Sequence, residues 1–61
     1  MDAQLIEFCT DANGILLWAE HYVFRRLSAV NELFIRDNIH YKVISCIQKG
    51  IIIYTVVKKI K

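Results

Sequence analysis

Cys9, Cys46, His21 and His40 are the side chains of this 61-residue chain best suited to nucleophilic or metal chemistry. A hydrolytic site needs a nucleophile, a base and a group that orients the base. Ser28, Ser45 and a few threonines are the other candidate nucleophiles. A Cys9–His21 approach across a hairpin is conceivable, but the strand register favoured below leaves His21 several residues along from the required place. Cys9 therefore reads as a buried structural thiol. His40, on the polar side of an alternating segment, reads as solvated. Structural zinc sites use closely spaced ligand pairs, and no such pair occurs here. Gly14 and Gly50 are the only glycines, too few for a loop that cradles phosphate. The expectation is a non-catalytic protein with no metal and no cofactor.

Two other groups of residues point to binding. Trp18, Tyr22 and Phe24 fall on one side of an alternating segment and are followed by Arg25 and Arg26. Aromatics beside guanidinium groups can stack the bases of single-stranded nucleic acid, at about 1–3 kcal/mol per base. The same residue types dominate protein interface hot spots. Alternatively, the aromatics close the second side of the fold and the arginines are solvated. The second group is the terminal apolar run. Ile52, Tyr54 and Val56 share one face of a strand there; Ile51, Ile53 and Val57 share the other. A strand apolar on both faces must be covered on both, and an edge strand also offers unpaired backbone groups to another chain. Ile51, Ile52, Ile53, Tyr54 and Val57 are accordingly expected to mediate self-association. Lys49, Lys58 and Lys59 flank the run as gatekeepers against uncontrolled stacking.

Composition supports a partner. Hydrophobic residues make up 56% of the chain, against about 45–50% in ordinary domains. A chain this short forms one domain, residues 1–61, whose core is marginal without a supplement. Cys9 and Cys46 match neither a disulfide-dense secreted scaffold nor a metal spacing. The first residues lack the basic start and apolar run of a signal peptide, and no apolar run approaches the ~20 residues of a membrane span. Reduced thiols in the cytoplasm, or in a host's cytoplasm, are expected. Net charge is +2, too weak to imply nucleic acid, but its distribution is uneven. Residues 1–24 carry four acidic and no basic residues (−4); residues 25–61 carry eight basic and two acidic ones (+6). Such asymmetry can steer an encounter, or the signs can mix if strands from the two halves interleave.

The elements that position these residues read mostly as strands. Gln4 to Thr10 alternates, with Ile6 and Phe8 on one side. Asp11-Ala12-Asn13-Gly14 follows, and Asn-Gly is a strong hairpin signal. A two-residue loop sets Glu7 opposite Glu20, which repels. A four-residue loop instead places Ile6 and Phe8 with Ile15, Leu17 and Ala19 as a core face, and is the favoured register. Residues 16–34 also carry a helical spacing, so the alternative is an α+β fold with a helix near 16–34 and a C-terminal hairpin. Leu33 to Arg36, a turn at Asp37-Asn38, an alternating Ile39 to Ile44 (with Tyr41, Val43 and Ile47 sharing a face), a Lys49-Gly50 turn and Ile51 to Val57 favour β. The expected fold is all-β: a small five-stranded barrel or curled antiparallel sheet.

Within that pattern, Val30-Asn31-Glu32, the Asp37-Asn38 turn and Tyr41-Lys42-Val43 resemble a recurrent pattern of small Src-homology-three-like barrels, including short phage and bacterial proteins. Asn31 and Asn38 stand where that pattern has glycine, and asparagine tolerates positive φ better than other side chains. The resemblance implies a barrel and a viral or prophage accessory setting. Fold does not determine function. The functional expectation is a protein–protein interaction or assembly module, acting on another protein or on its own copies. The alternative is a small barrel that binds single-stranded nucleic acid weakly.

Overall fold

The computed structural model describes residues 4–60, so Asp2 and Lys61, counted in the charge halves above, lie outside it. Five strands form one sheet: β1 (Leu5–Thr10), β2 (Leu16–Tyr22), β3 (Leu33–Arg36), β4 (Ile39–Lys49) and β5 (Ile52–Ile60). Their order is β2-β1-β5-β4-β3. Three of the four pairings are antiparallel; β1 and β5 run parallel, Ile6 opposite Ile52 and Cys9 opposite Thr55. The fold is all-β, and the sheet is mixed where a purely antiparallel one was expected. Among the described residues there is no helix, so the α+β alternative is not adopted.

Turn chemistry fixes the hairpins. The Asp11 N–H donates to the Ile15 carbonyl and the Gly14 N–H to that of Asp11, both at 3.0 Å, while Asp11 Oδ1 accepts the N–H groups of Asn13 and Ile15. Gly14 has φ +82°. This is a three-residue loop ending in a left-handed residue, and a bulge beside it sets Glu7 opposite Glu20. The favoured four-residue register is therefore off by two, and the rejected Glu–Glu pairing is the one formed. Asp37 and Asn38 both have positive φ (52° and 66°), as a two-residue type I′ turn requires. Gly50, at φ +60°, turns β4 into β5. Asn31 has φ 72° and the Glu32 N–H bonds the Ala29 carbonyl, a turn with its left-handed residue third. Both asparagines thus adopt the backbone geometry expected where glycine is usual.

The sheet curls into a half-barrel whose core lies on the concave side. Cys9, Val43, Ile53 and Val57 are fully buried there, with Tyr41 beside them. The alternation in β1 and β2 is as expected, but its sense is reversed. Glu7, Cys9 and Trp18 face inward, while Ile6, Phe8 and Ala19 lie on the outer face. A second bulge, at Ile44, shifts the register of β4 on β5. It inverts the second half of β4, so Ile47 points outward although Tyr41 and Val43 point in.

The two edge strands, β2 and β3, do not pair, and no Cα atom of one lies within 8 Å of the other. Side chains bridge the opening instead. Trp18 meets Phe34 edge-on at 6.1 Å and Tyr41 at 5.2 Å, and Phe34 stacks on Tyr41 at 5.3 Å. Arg36 lies 4.4 Å from the centre of the Trp18 ring and donates to Glu20 at 2.5 Å.

Candidate functional site

The concave side holds a cavity of about 260 Å³ beneath the segment that joins β2 to β3. Its floor is the Glu7 carboxylate, only 3% exposed. Thr55 Oγ1 donates to Glu7 Oε2 at 2.5 Å, and Arg25 donates to both carboxylate oxygens, Nε at 3.3 Å and Nη2 at 3.2 Å. Arg25 also donates to Ser28 Oγ and to its neighbour's carbonyl, that of Arg26, and it stacks over Tyr22 at 5.2 Å. Burial alone would lower the Arg25 pKa, but the Glu7 hydrogen bond and charge more than offset it, and the net direction is upward. The Tyr22 phenol is shifted up as well, first by burial and then by the nearby carboxylates. Every buried side-chain polar atom among the described residues has a partner.

Cys9 lies in the same cavity. Burial, with Glu7 reinforcing it, pushes its thiol up to about 12, so at neutral pH it is a protonated thiol and a poor nucleophile. His21 pairs opposite Ile6 and points to the other side of the sheet, away from Cys9. Both cysteines are free, and both flank Thr55, one from each neighbouring strand. Two strand spacings separate their Cα atoms by roughly 9–10 Å, beyond disulfide reach. Among the described residues no group of three or more potential ligands could hold a metal.

The five residues expected to bind a partner do not form one exposed platform. Trp18 and Tyr22 line the cavity, and Arg25 is committed to Glu7. Phe24, at 82% exposed, and Arg26 project from the loop after β2. The terminal run divides similarly. Ile53 and Val57 are core residues at 0% exposure, Ile52 and Tyr54 lie on the outer face, and Ile51 sits in the exposed turn. Over Ile52–Val56, β5 is also a central strand with its backbone paired on both sides, so that stretch offers no free edge.

The outer face has a different chemistry. Phe8 and Tyr54 stack at its centre, ring centroids 6.4 Å apart. The row through them runs Ile47–Tyr54–Phe8–Ala19 across four strands, and the adjacent row runs Lys49–Ile52–Ile6–His21. Ile47 is 53% exposed and Tyr54 42%, and nothing covers the half-buried Ile6, Phe8, Ile52 and Val56. The total accessible surface is 4644 Å²; a compact protein of 7.2 kDa exposes about 4,100 Å². Sequence reading singled out Ile52 and Tyr54 but not Phe8 or Ile47 as surface residues, because β1 and β4 had to be assigned an inside first. Taken singly, Thr55 and Arg36 carry no sequence signal of a site, and Glu7 and Glu20 stand out only as a repulsive register pair. The available signal was two glutamates at alternating positions in apolar strands, matched by two arginines downstream.

Comparison with protein-family models, curated proteins and solved structures finds no match to this chain. Among the described residues, no helix is long and apolar enough to cross a membrane.

Proposed function

We propose that the protein is a non-catalytic protein–protein interaction or assembly module whose docking surface is the outer face of the sheet. The observation that carries this reading is the uncovered apolar row through Ile47, Tyr54 and Phe8, on a molecule with more surface than its mass requires. Covering the exposed parts of Ile47, Tyr54, Ile52 and Phe8 would contribute on the order of 3–5 kcal/mol before association costs. The occupant is another protein or a second copy of the chain. Cytoplasmic residence fits two free thiols held too far apart to bridge. A phage or prophage setting rests on the short sequence resemblance alone.

Binding of the uncharged dye Nile red to the folded protein tests the reading. Fluorescence should rise on mixing and fall severalfold in the double variant Ile47→Ser/Tyr54→Ser, whose substitutions spare the concave core. A folded wild type that leaves the dye dark removes the docking surface.

A further inference from the structure

We infer that the occupant of the outer face is an acidic, apolar segment of a different protein, and that copies of this chain do not stack on one another there. The inference rests on the docking surface proposed above and adds the chemistry of what it takes. Its basis is where the fold puts the carboxylates. Glu7 and Glu20 point into the concave side and pair with Arg25 and Arg36. Glu32 lines the cavity mouth, while Asp11 and Asp37 sit at turns, the former bonded to two backbone N–H groups. Among the described residues, no outward-facing strand position is Asp or Glu.

Basic residues flank the Ile47–Tyr54–Phe8 centre of the same face on both sides. Lys49 and His21 close one side of the apolar centre. On its other side Lys42 and Lys58 stand directly opposite each other on β4 and β5, with the exposed Leu33 beside Lys42 and the Ile35–His40–Ile60 row beyond them. Neither lysine has an ion-pair partner among the described residues. Like charges so paired are destabilising, and a bound carboxylate relieves that repulsion. Lys42 and Lys49 lie on either side of the Ile44 bulge, and the positions facing them on β5, Lys58 and Ile52, are six apart, or roughly 20 Å at ~3.3 Å per residue. The fitting segment has an apolar middle and carboxylates about 20 Å apart, a span of about 13 helical residues.

A second copy does not meet that description. Face-to-face packing of identical patches sets each patch against itself. In one orientation Lys42 and Lys58 meet the partner's identical pair, and in the other they meet Lys49 and His21. Both juxtapose lysine with lysine. An anionic membrane shares the required chemistry. The apolar centre, however, is the outer surface of a curled sheet, with Phe8 and Tyr54 lying stacked on each other, whereas interfacial anchors bury their apolar groups about 5–10 Å deep. A protein segment fits that surface better.

The test measures fluorescence anisotropy of two labelled peptides titrated with the full chain. Each is an amphipathic peptide of about 15 residues with a Leu/Phe face; one has glutamates at both ends, the other lysines. The acidic peptide should bind about tenfold more tightly than the basic one, and the advantage should shrink with added salt. Lys42→Glu/Lys58→Glu should cancel or reverse the preference, while Tyr54→Ser should weaken both peptides alike. Lys49→Glu, at the hairpin tip, serves the same purpose if the double variant does not fold. Equal binding of the two peptides, with Tyr54→Ser still harmful, overturns the acidic preference and leaves the docking surface standing. Binding of neither peptide by a protein that still lights Nile red overturns the preference likewise, whereas a dark dye overturns the surface itself. Tighter binding to phosphatidylserine-containing vesicles than to the acidic peptide, or sedimentation showing a dimer abolished by Tyr54→Ser, assigns the face to a membrane or to a second copy and ends the proposal.

Discussion

Glu7 is the residue on which the concave side depends, because one buried carboxylate accepts hydrogen bonds from Thr55 and, twice, from Arg25. Removing one partner of a fully buried pair costs about 3–5 kcal/mol. The Arg25 side chain is 28% exposed, so water recovers part of that. Arg25→Met should lower urea-unfolding stability by about 2 kcal/mol, and Thr55→Val by about 1–2 kcal/mol through its lost bond to a charged acceptor. Cys9 makes a prediction of its own. Its folded-state thiol titrates near 12, above the ordinary 9.0. Below pH 9 both folded and unfolded chains hold the proton, and the stability contribution is complete. Between pH 9 and 12 only the unfolded chain ionises, so stability should fall by up to about 1.4 kcal/mol per pH unit. Cys9→Ala should flatten that alkaline slope in a denaturation series. A wild-type curve that is level from pH 8 to 11 would show that burial does not hold the proton. Individual roles of this kind were only partly legible. A reduced, structural Cys9 could be read from the chain. The Glu7–Arg25 bond joins residues 18 apart in sequence, and no local spacing announces it.

Among the elements, the turns were the most legible because their chemistry is local. Asn-Gly, Asp-Asn and Lys-Gly mark three turns, and the asparagines in left-handed geometry follow from side chains that tolerate it. Asn38→Ala should therefore cost about 1–2 kcal/mol, with Asn38→Gly near neutral; a thermal melt of each decides it. Register was less legible. Glu7 opposite Glu20 looks repulsive as an isolated pair, yet Arg25 and Arg36 neutralise one carboxylate each, from residues that do not belong to the hairpin. Those two ion pairs also join the acidic and basic halves of the chain, so folding mixes part of the charge asymmetry. The inward face of β1 was misassigned for a related reason. Hydropathy favours Ile6 and Phe8 over Glu7 and Cys9, and only the polar network explains the opposite choice. The bulge at Ile44 left no signal in an otherwise regular strand.

At the scale of the whole molecule, the excess of apolar side chains anticipated from composition appears as an uncovered outer sheet face. The mediators expected in the terminal run separate by strand alternation, which gives two opposed predictions from adjacent positions. Ile53→Ala should cost about 2–4 kcal/mol, since its side chain is fully enclosed. Tyr54→Ser should change stability by less than about 1 kcal/mol and show itself in binding instead. Denaturation and dye titration of the two variants separate core from surface. The parallel seam between β1 and β5 carries a further consequence. Ile6 and Ile52 are neighbours in the middle of the sheet, yet each of the other pairings joins strands consecutive in sequence. The two hairpins flanking that seam can form early from nearby residues, but neither has its full neighbourhood until the far segment arrives. Assembly therefore waits on the longest loop closure in the chain, and a ribosome-bound fragment lacking β5 has no native sheet to enter.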